Sequence, residues 1–178
     1  MSRKRLLVID VRPRPGHATQ GQLIAGGMVL RCALGRGGIT AFKREGDGGT
    51  PLAQMRLLYG YKRPDKRVQG GGGGLKLRAL RQNDGWCEVG NDRNYNRHVR
   101  IPYGASHETM WREDDLYDVC IVMDWNIRPR RRDKGSAIFF HLARPGYTPT
   151  QGCIALSRGD MDRLLPHLSD QTVIRVRR

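Results

Sequence analysis

Short apolar stretches alternate with turn-forming residues along the whole chain, and this pattern constrains the fold more than any other feature. Gly, Pro, Asn and Asp separate the stretches, which are too short for free-standing helices and are rich in Val and Ile. We therefore predict a mainly β domain with strands at residues 6–11, 27–34, 55–61, 75–80, 119–123, 137–140 and 173–176. Residues 119–123 and 137–140 are continuously apolar, which indicates strands buried on both faces.

Signals for helices are few. Ser157 is a suitable N-cap for a helix whose apolar positions, 161, 164, 165 and 168, have helical spacing, and Pro166 should end or kink it. We predict a second short helix over residues 106–112, with Ser106 as its cap. The predicted fold is thus mixed sheets or a β-sandwich with one or two short helices.

The length and the apolar content indicate one domain. The chain has 178 residues, of which 38% are hydrophobic, enough for a single core. We assign residues 1–178 to one domain, with N-terminal strands in 1–42 and a mobile Gly-rich loop over 62–74, where consecutive glycines make ordering costly. No apolar run approaches the length of a membrane span, so none is expected.

The N-terminus does not have the pattern of a secretory leader. Four apolar residues, 6–9, follow the basic start before Asp10 interrupts them, whereas a leader needs about 7–15. We expect residues 4–11 to form the first strand. This leaves a cytoplasmic location, an unconventional export route, or a leader missing from the sequence as alternatives.

The charge is strongly basic. There are 32 Lys and Arg against 17 Asp and Glu, a formal net charge of +15. Either the surface attracts anionic polymers, or it is an ordinary soluble surface. The basic residues are dispersed apart from a cluster at 128–132, and no nucleic-acid-binding motif accompanies them. We expect no specific nucleic-acid partner.

A histidine and a cysteine stand at the two ends of one Pro- and Gly-rich loop. His141 ends an apolar strand, and Cys153 follows Gly152 at the start of the next. If the loop folds back, the imidazole can take the thiol proton, form a thiolate–imidazolium pair and lower the pKa of Cys153. Amide hydrogens of Gly152 and Cys153 could stabilise an oxyanion. The alternative is a buried thiol beside a histidine, with no chemistry.

The other three cysteines, Cys32, Cys87 and Cys120, have no C-x-x-C spacing, so we expect no zinc site. They suit small buried side chains, although their disulfide status stays open.

Two motifs resemble the L,D-transpeptidase catalytic domain family (YkuD-like). In that family a strand-ending His precedes a Ser/Thr-x-Gly-Cys element, which His141 and the run Thr150-Gln151-Gly152-Cys153 match. The segment 43–51 resembles the family pattern K-x-x-x-D-x-x-T-P. Weaker likenesses lie at 84–87, 93–97 and 106–108, so the resemblance spans about residues 43–178 and points to a divergent bacterial branch.

The resemblance implies a peptidoglycan enzyme without metal or organic cofactor. Cys153 would attack a stem peptide and form a thioester, with His141 as base and then acid, and an amine or a D-amino acid would accept the acyl group. Hydrolysis of the same bonds (carboxypeptidase or endopeptidase activity) is the alternative outcome. The family's substrate implies the periplasm or cell envelope. Expected substrate-binding residues are Thr150, Gln151, Arg144, Tyr147, Trp86, His107 and Thr50.

Two positions depart from the usual motif. Gln151 replaces a His before the Gly-Cys pair, and Ala155 replaces an Asn or Arg two positions after the Cys. Arg144 or Arg158 could then bind a substrate carboxylate. These departures, with the charge, also allow a non-catalytic module that binds envelope polyanions. The group that orients His141 is open between carbonyls of the loop 142–150, Ser136 and Tyr147.

Overall fold

The computed structural model describes residues 5–68 and 73–178, which form strands, one α-helix and two short 3-10 turns. The strands are β1 (Val8–Arg14), β2 (His17–Ala25), β3 (Met28–Ala33), β4 (Ile39–Thr40), β5 (Thr50–Pro51), β6 (Gln54–Lys62), β7 (Leu77–Ala79), β8 (Asp84–Cys87), β9 (Arg97–Arg100), β10 (His107–Thr109), β11 (Val119–Met123), β12 (Phe139–Leu142), β13 (Ile154–Leu156) and β14 (Val173–Val176). The helix α1 spans Arg158–Leu164, and the 3-10 turns span Pro145–Tyr147 and Leu165–His167. The mainly β prediction is confirmed.

The large sheet contains nine strands in the order β11-β12-β13-β3-β2-β1-β14-β6-β7. Strand β6 also pairs with β11, so eight of these strands close into a ring around the main core. The sheet is mixed, since β1 pairs with β14 and β12 with β13 in parallel while most neighbours are antiparallel. Closure removes the free edges that an open sheet would expose.

Strands β12 and β13 separate the main core from the site. Side chains alternate between the two faces of a strand. The residues that face the main core are Phe140, Leu142, Ile154 and Leu156. On the opposite face, Phe139 and Cys153 belong to a second apolar cluster, and His141 and Ala155 line a cavity. The alternation therefore puts the predicted base and nucleophile on one face of neighbouring strands.

A second sheet, β10-β8-β9, covers this face. Trp86 of β8 packs edge-on against Phe139, with ring centroids 5.0 Å apart. Asn96 Oδ1 accepts hydrogen bonds from the indole of Trp86 and from the Ala137 amide, both at 3.0 Å. These contacts fix the chain that leads into β12.

Several predicted elements agree with the structure, and one is wrong. Strands β11 and β14 have the predicted bounds, and Ser157 caps α1 by accepting a hydrogen bond from the Asp160 amide. The predicted helix over 106–112 does not form. His107–Thr109 instead pairs with β8, because backbone pairing across the small sheet outweighs a weak local cap signal.

The flanks of the predicted Gly-rich loop are held by named contacts. Arg63 is buried, pairs with Asp65 at 2.7 Å and stacks on Trp111 at 3.7 Å from its ring centre. Gly74 forms a β-bridge with Ser169. Residues 69–72 lie outside the described residues, so mobility of the loop stays a prediction. In the described parts of the chain, no helix has the length and apolarity to cross a membrane.

Candidate active site

A cavity of about 560 Å³ lies between the large and the small sheet. Its walls come from β12, β13 and the loop between them, from the ends of β8 and β10, and from the segment 43–46. His141, Cys153, Thr150, Gln151 and Arg144 all line it. The structure therefore brings five of the predicted site residues together in one cavity.

Cys153 lies at the base of the cavity with 6% of its surface exposed. Its thiol donates to the Ala137 carbonyl at 3.2 Å, and its sulfur accepts the Phe139 N–H at 3.3 Å. Burial, followed by the negative charge of Glu108, raises the pKa of Cys153 to about 12. At neutral pH the resting sulfur is therefore a thiol.

His141 is buried and held in one tautomer. Its Nδ1 lies 2.8 Å from the Leu142 carbonyl, which can only accept, so Nδ1 carries the hydrogen and Nε2 keeps its lone pair. Tyr117 packs edge-on against the imidazole with centroids 5.2 Å apart. Burial lowers the pKa of His141 to about 4. The ring is a neutral base, oriented by the carbonyl of Leu142 at the end of β12 rather than by Ser136 or Tyr147.

The resting geometry favours uncharged side chains over the predicted thiolate–imidazolium pair, which stays a prediction. Burial favours the uncharged forms of both Cys153 and His141, and the thiol proton points to Ala137. His141 pairs with Ala155, two positions past Cys153, so ideal strand spacing separates the two Cα atoms by about 8 Å. The arrangement suits proton transfer during attack, after the thiol has turned towards Nε2.

Thr150 holds the loop that presents the nucleophile. Its hydroxyl accepts from the Gly152 amide at 3.1 Å and donates to the Cys153 carbonyl at 2.7 Å. Gly152 has a φ of +127°, and a Cβ there would lie 2.7 Å from the Gly49 carbonyl oxygen. The Gly152 amide is therefore committed to Thr150, which corrects its predicted role as an oxyanion donor and leaves the Cys153 amide as the candidate.

Arg144 extends the cavity wall from the loop after β12. It lies 3.1 Å from Asp114, which also binds Arg112 at 2.6 Å. These two arginines lower the pKa of Asp114. Arg158, the predicted alternative to Arg144, pairs with a different aspartate and does not line the cavity. Gln151 is exposed at the rim.

Four predicted substrate-binding residues lie outside the cavity lining, so their contact with substrate stays a prediction. Thr50 is fully buried, and its hydroxyl accepts the Gly35 amide at 2.8 Å. Trp86 is 2% exposed and packs behind the wall. Tyr147 turns away to lie 4.5 Å from the Arg31 guanidinium. The ring of His107 bonds the Ala105 carbonyl at 2.8 Å, although its two neighbours line the cavity.

Sequence reasoning missed a set of charged and polar lining residues. They are Lys43, Glu45, Glu88, Glu108, Arg112 and Tyr117. Lys43 and Glu108 lie in segments that resemble the family, and this resemblance could have identified them from the sequence. Lys43 donates to the Asp47 carboxylate and to the Arg44 carbonyl, so the ion pair closes the turn before Thr50.

The four cysteines are free and buried. Within residues 5–68 and 73–178, no group of three or more His, Cys, Asp or Glu side chains is arranged to hold a metal ion.

Comparison with known proteins gives a family match. The family model described as L,D-transpeptidase catalytic domain (YkuD) matches residues 7–176, nearly the whole chain and more than the resemblance at 43–178 indicated. No curated protein and no solved structure matches. Since the matched range contains the cavity with its His141 and Cys153, the chain belongs to the L,D-transpeptidase catalytic domain family.

Proposed function

We propose that this chain is a cysteine-dependent L,D-transpeptidase that acts on peptidoglycan stem peptides through a thioester on Cys153. The observation that carries the proposal is the tautomer of His141. With Nδ1–H given to the Leu142 carbonyl, Nε2 is free to accept a proton in the same cavity that Cys153 lines. A fixed neutral imidazole beside a buried thiol is suited to general-base activation.

Acylation breaks one amide bond and forms one thioester. The thiol proton passes to His141 Nε2 as Cys153 Sγ bonds to the carbonyl carbon, and the Phe139 N–H stabilises negative charge on sulfur. The Cys153 amide is the backbone N–H assigned to the developing oxyanion. The C–N bond then breaks, and the imidazolium returns its proton to the departing amine of the D-amino acid.

Transfer completes the cycle. An amine nitrogen attacks the thioester carbonyl and gives a proton to His141 Nε2, the C–S bond breaks, and the imidazolium passes that proton to the departing sulfur. An amine from a second stem peptide gives a cross-link, and a free D-amino acid gives exchange. Water in the same place gives hydrolysis, so carboxypeptidase or endopeptidase activity is the alternative product of one acyl-enzyme.

Recognition of the donor involves the basic side of the cavity. Arg144 is half exposed and Arg112 lies beside it on the shared Asp114, so a substrate carboxylate can bind where these guanidinium groups meet. Thr150 and Gln151 form the adjoining rim. The net charge of +15 favours anionic envelope polymers, and the proposed place of action is the cell envelope.

A carbapenem, a β-lactam class that acylates this family, tests the proposal. The intact protein should gain the mass of one carbapenem, located on Cys153 by peptide mapping, and Cys153→Ala should gain none while unfolding at the wild-type temperature. Cys87→Ala, which removes a buried free thiol of β8, is the matched control and should label as wild type does. Labelling that survives in Cys153→Ala contradicts the proposal.

A non-catalytic module that binds polyanions is the second candidate. The protonated state of Cys153 favours it, because a thiol with a raised pKa is a poor nucleophile without help. In that case carbapenem gives no adduct, and binding to peptidoglycan sacculi survives in Cys153→Ala and weakens steeply with salt.

A further inference from the structure

One wall of the active-site cavity is acidic, although the whole chain is strongly basic. Glu45, Glu88 and Glu108 all line this wall, which we call the acidic wall. Burial, and then the neighbouring carboxylates of Glu108 and Glu45, raise the pKa of Glu88 to about 7. The three carboxylates are thus close enough to repel one another, and a bound cation would relieve that repulsion.

The cations of the cavity are largely committed to aspartates. Lys43 donates to Asp47, and Arg112 and Arg144 both bind Asp114. These aspartates are not part of the cavity lining. The positive charges of Lys43, Arg112 and Arg144 therefore neutralise these aspartates, and the glutamate charges of the acidic wall are only partly neutralised.

Within the acidic wall, Glu88 is the carboxylate with fewest partners. Glu45 and Glu108 each accept a hydrogen bond from a tyrosine hydroxyl, and Glu108 also lies 3.8 Å from Arg112. Glu88 accepts no hydrogen bond from the residues that the structure describes. Its carboxylate is available to a ligand.

Ser136 supplies an independent sign of a ligand at this place. It lines the cavity with 7% of its surface exposed, and its buried Oγ has no hydrogen-bond partner among the described residues. The Tyr95 hydroxyl gives its own proton to Glu45 and offers Ser136 only a weak interaction. A buried hydroxyl normally has a partner, so Ser136 is suited to bond a polar group of a ligand in this part of the cavity.

The acidic wall lies beside the nucleophile. The charges of Glu108 and Glu88 both raise the pKa of Cys153, and Ser136 directly precedes Ala137, whose carbonyl bonds the thiol. A ligand held by this wall is therefore within reach of an acyl group on the sulfur. Arg112 and Arg144, which are proposed for the donor carboxylate, are both bound to Asp114. The group that fits against Glu88 is therefore a cation that must approach the thioester.

We propose that the acidic wall binds the primary ammonium group of the acyl acceptor and that Glu88 takes a proton from it; this rests on the proposed function. Only the uncharged amine has a lone pair to attack with. The Glu88 carboxylate accepts one ammonium proton, the amine nitrogen bonds to the thioester carbon, and the C–S electron pair leaves with sulfur, which His141 reprotonates. The second proton passes from the nitrogen to His141 Nε2, which supplies it to the sulfur as the new amide forms.

The proposal is tested by measuring how one acyl-enzyme divides between transfer to an amine and hydrolysis. Full-length protein is acylated with a stem tetrapeptide, and products of transfer to D-methionine and to water are quantified by mass spectrometry. Glu88→Gln, which keeps the side-chain size, should lower the ratio of aminolysis to hydrolysis at least tenfold. Glu113→Gln, an exposed glutamate outside the cavity, is the matched control and should keep the wild-type ratio.

Hydroxylamine is largely uncharged at pH 7. It therefore distinguishes a loss of ammonium binding from a general loss of transfer activity. Its transfer ratio should be the same in Glu88→Gln and in wild type. An equal fall for both nucleophiles, or no fall for either, overturns the proposal. A higher KM for the tetrapeptide with an unchanged ratio of aminolysis to hydrolysis also overturns the proposal, because the acidic wall would then bind an ammonium group of the donor. If wild-type protein forms no acyl-enzyme, the proposed function itself is contradicted, and this inference with it.

Discussion

The Sγ of Cys153 lies 3.2 Å from the carbonyl oxygen of Ala137 and gives its proton to that oxygen rather than to the imidazole of His141. The nucleophile is thus stored as a neutral thiol. Attack requires the S–H to turn towards Nε2, so the proton moves when substrate is present and not before. Storage in this form protects a buried sulfur from oxidation and alkylation, since the thiolate is the reactive species.

Alkylation of Cys153 should therefore show an alkaline midpoint. Burial raises its pKa from the usual range near 9 to about 12, so the fraction of thiolate stays low through pH 9 and grows above it. The rate of iodoacetamide labelling, followed by mass spectrometry from pH 6 to 10, should rise with pH without a plateau. A plateau below pH 8 would show a thiolate–imidazolium pair at rest.

The stability of the protein should fall in mild acid because of His141. Its folded-state pKa of about 4 lies below the unfolded value near 6.5, so between these values only the unfolded chain takes up the proton. This contribution to the free energy of unfolding is fully present above pH 6.5 and decreases as the pH falls. At pH 4 the loss amounts to about 3 kcal/mol.

Urea unfolding at pH 7 and pH 4 measures this effect. The difference in unfolding free energy between the two pH values should be smaller in His141→Asn than in wild type by about 3 kcal/mol. Other titrating groups cancel in the comparison. Equal losses in both proteins would contradict a buried neutral imidazole.

Much of the site's placement follows from the alternation of side chains along strands. His141 lies in β12 and Cys153 directly precedes β13, and the even-numbered residues of both strands are core residues. A correct strand assignment therefore already puts the two side chains on one face. The parallel pairing of β12 with β13 then makes them diagonal neighbours. The helix predicted at 106–112 failed because its cap signal is local, whereas pairing with β8 is not.

The ionisation of the pair could not be predicted from the sequence. It depends on how deeply the second sheet buries His141 and Cys153, and that cover is built by residues such as Trp86 and Asn96 far along the chain. The acidic wall has the same origin, since its three glutamates come from separate segments that only the fold brings together.

Thr150 should matter for both stability and acylation. Thr150→Val keeps the shape but removes the hydroxyl that bonds the Gly152 amide and the Cys153 carbonyl. We expect a loss of about 1–3 kcal/mol in the free energy of unfolding and at least a tenfold slower acylation by carbapenem. Thr150→Ser keeps the hydroxyl and should stay within a factor of about three of wild type. Wild-type acylation by Thr150→Val would contradict the role of this loop.

Gly152 should tolerate no side chain. Gly152→Ala places a Cβ 2.7 Å from the Gly49 carbonyl at a φ of +127°, and the strained backbone alone costs about 1–3 kcal/mol. Thermal unfolding should show a clearly lower midpoint. The control is Gly159→Ala in α1, where no atom beyond the neighbouring residues and the backbone of the helix itself lies within 4 Å of the new Cβ; it should leave the midpoint unchanged or raise it. Equal midpoints for the two variants would contradict this packing.

The most direct test is mass spectrometry of the protein mixed with a disaccharide-tetrapeptide. The account predicts a thioester on Cys153 that appears together with one equivalent of released D-amino acid, no thioester in Cys153→Ala, and a much slower reaction in His141→Asn. Release of the D-amino acid by Cys153→Ala at the wild-type rate, or no covalent species under any condition, would contradict it.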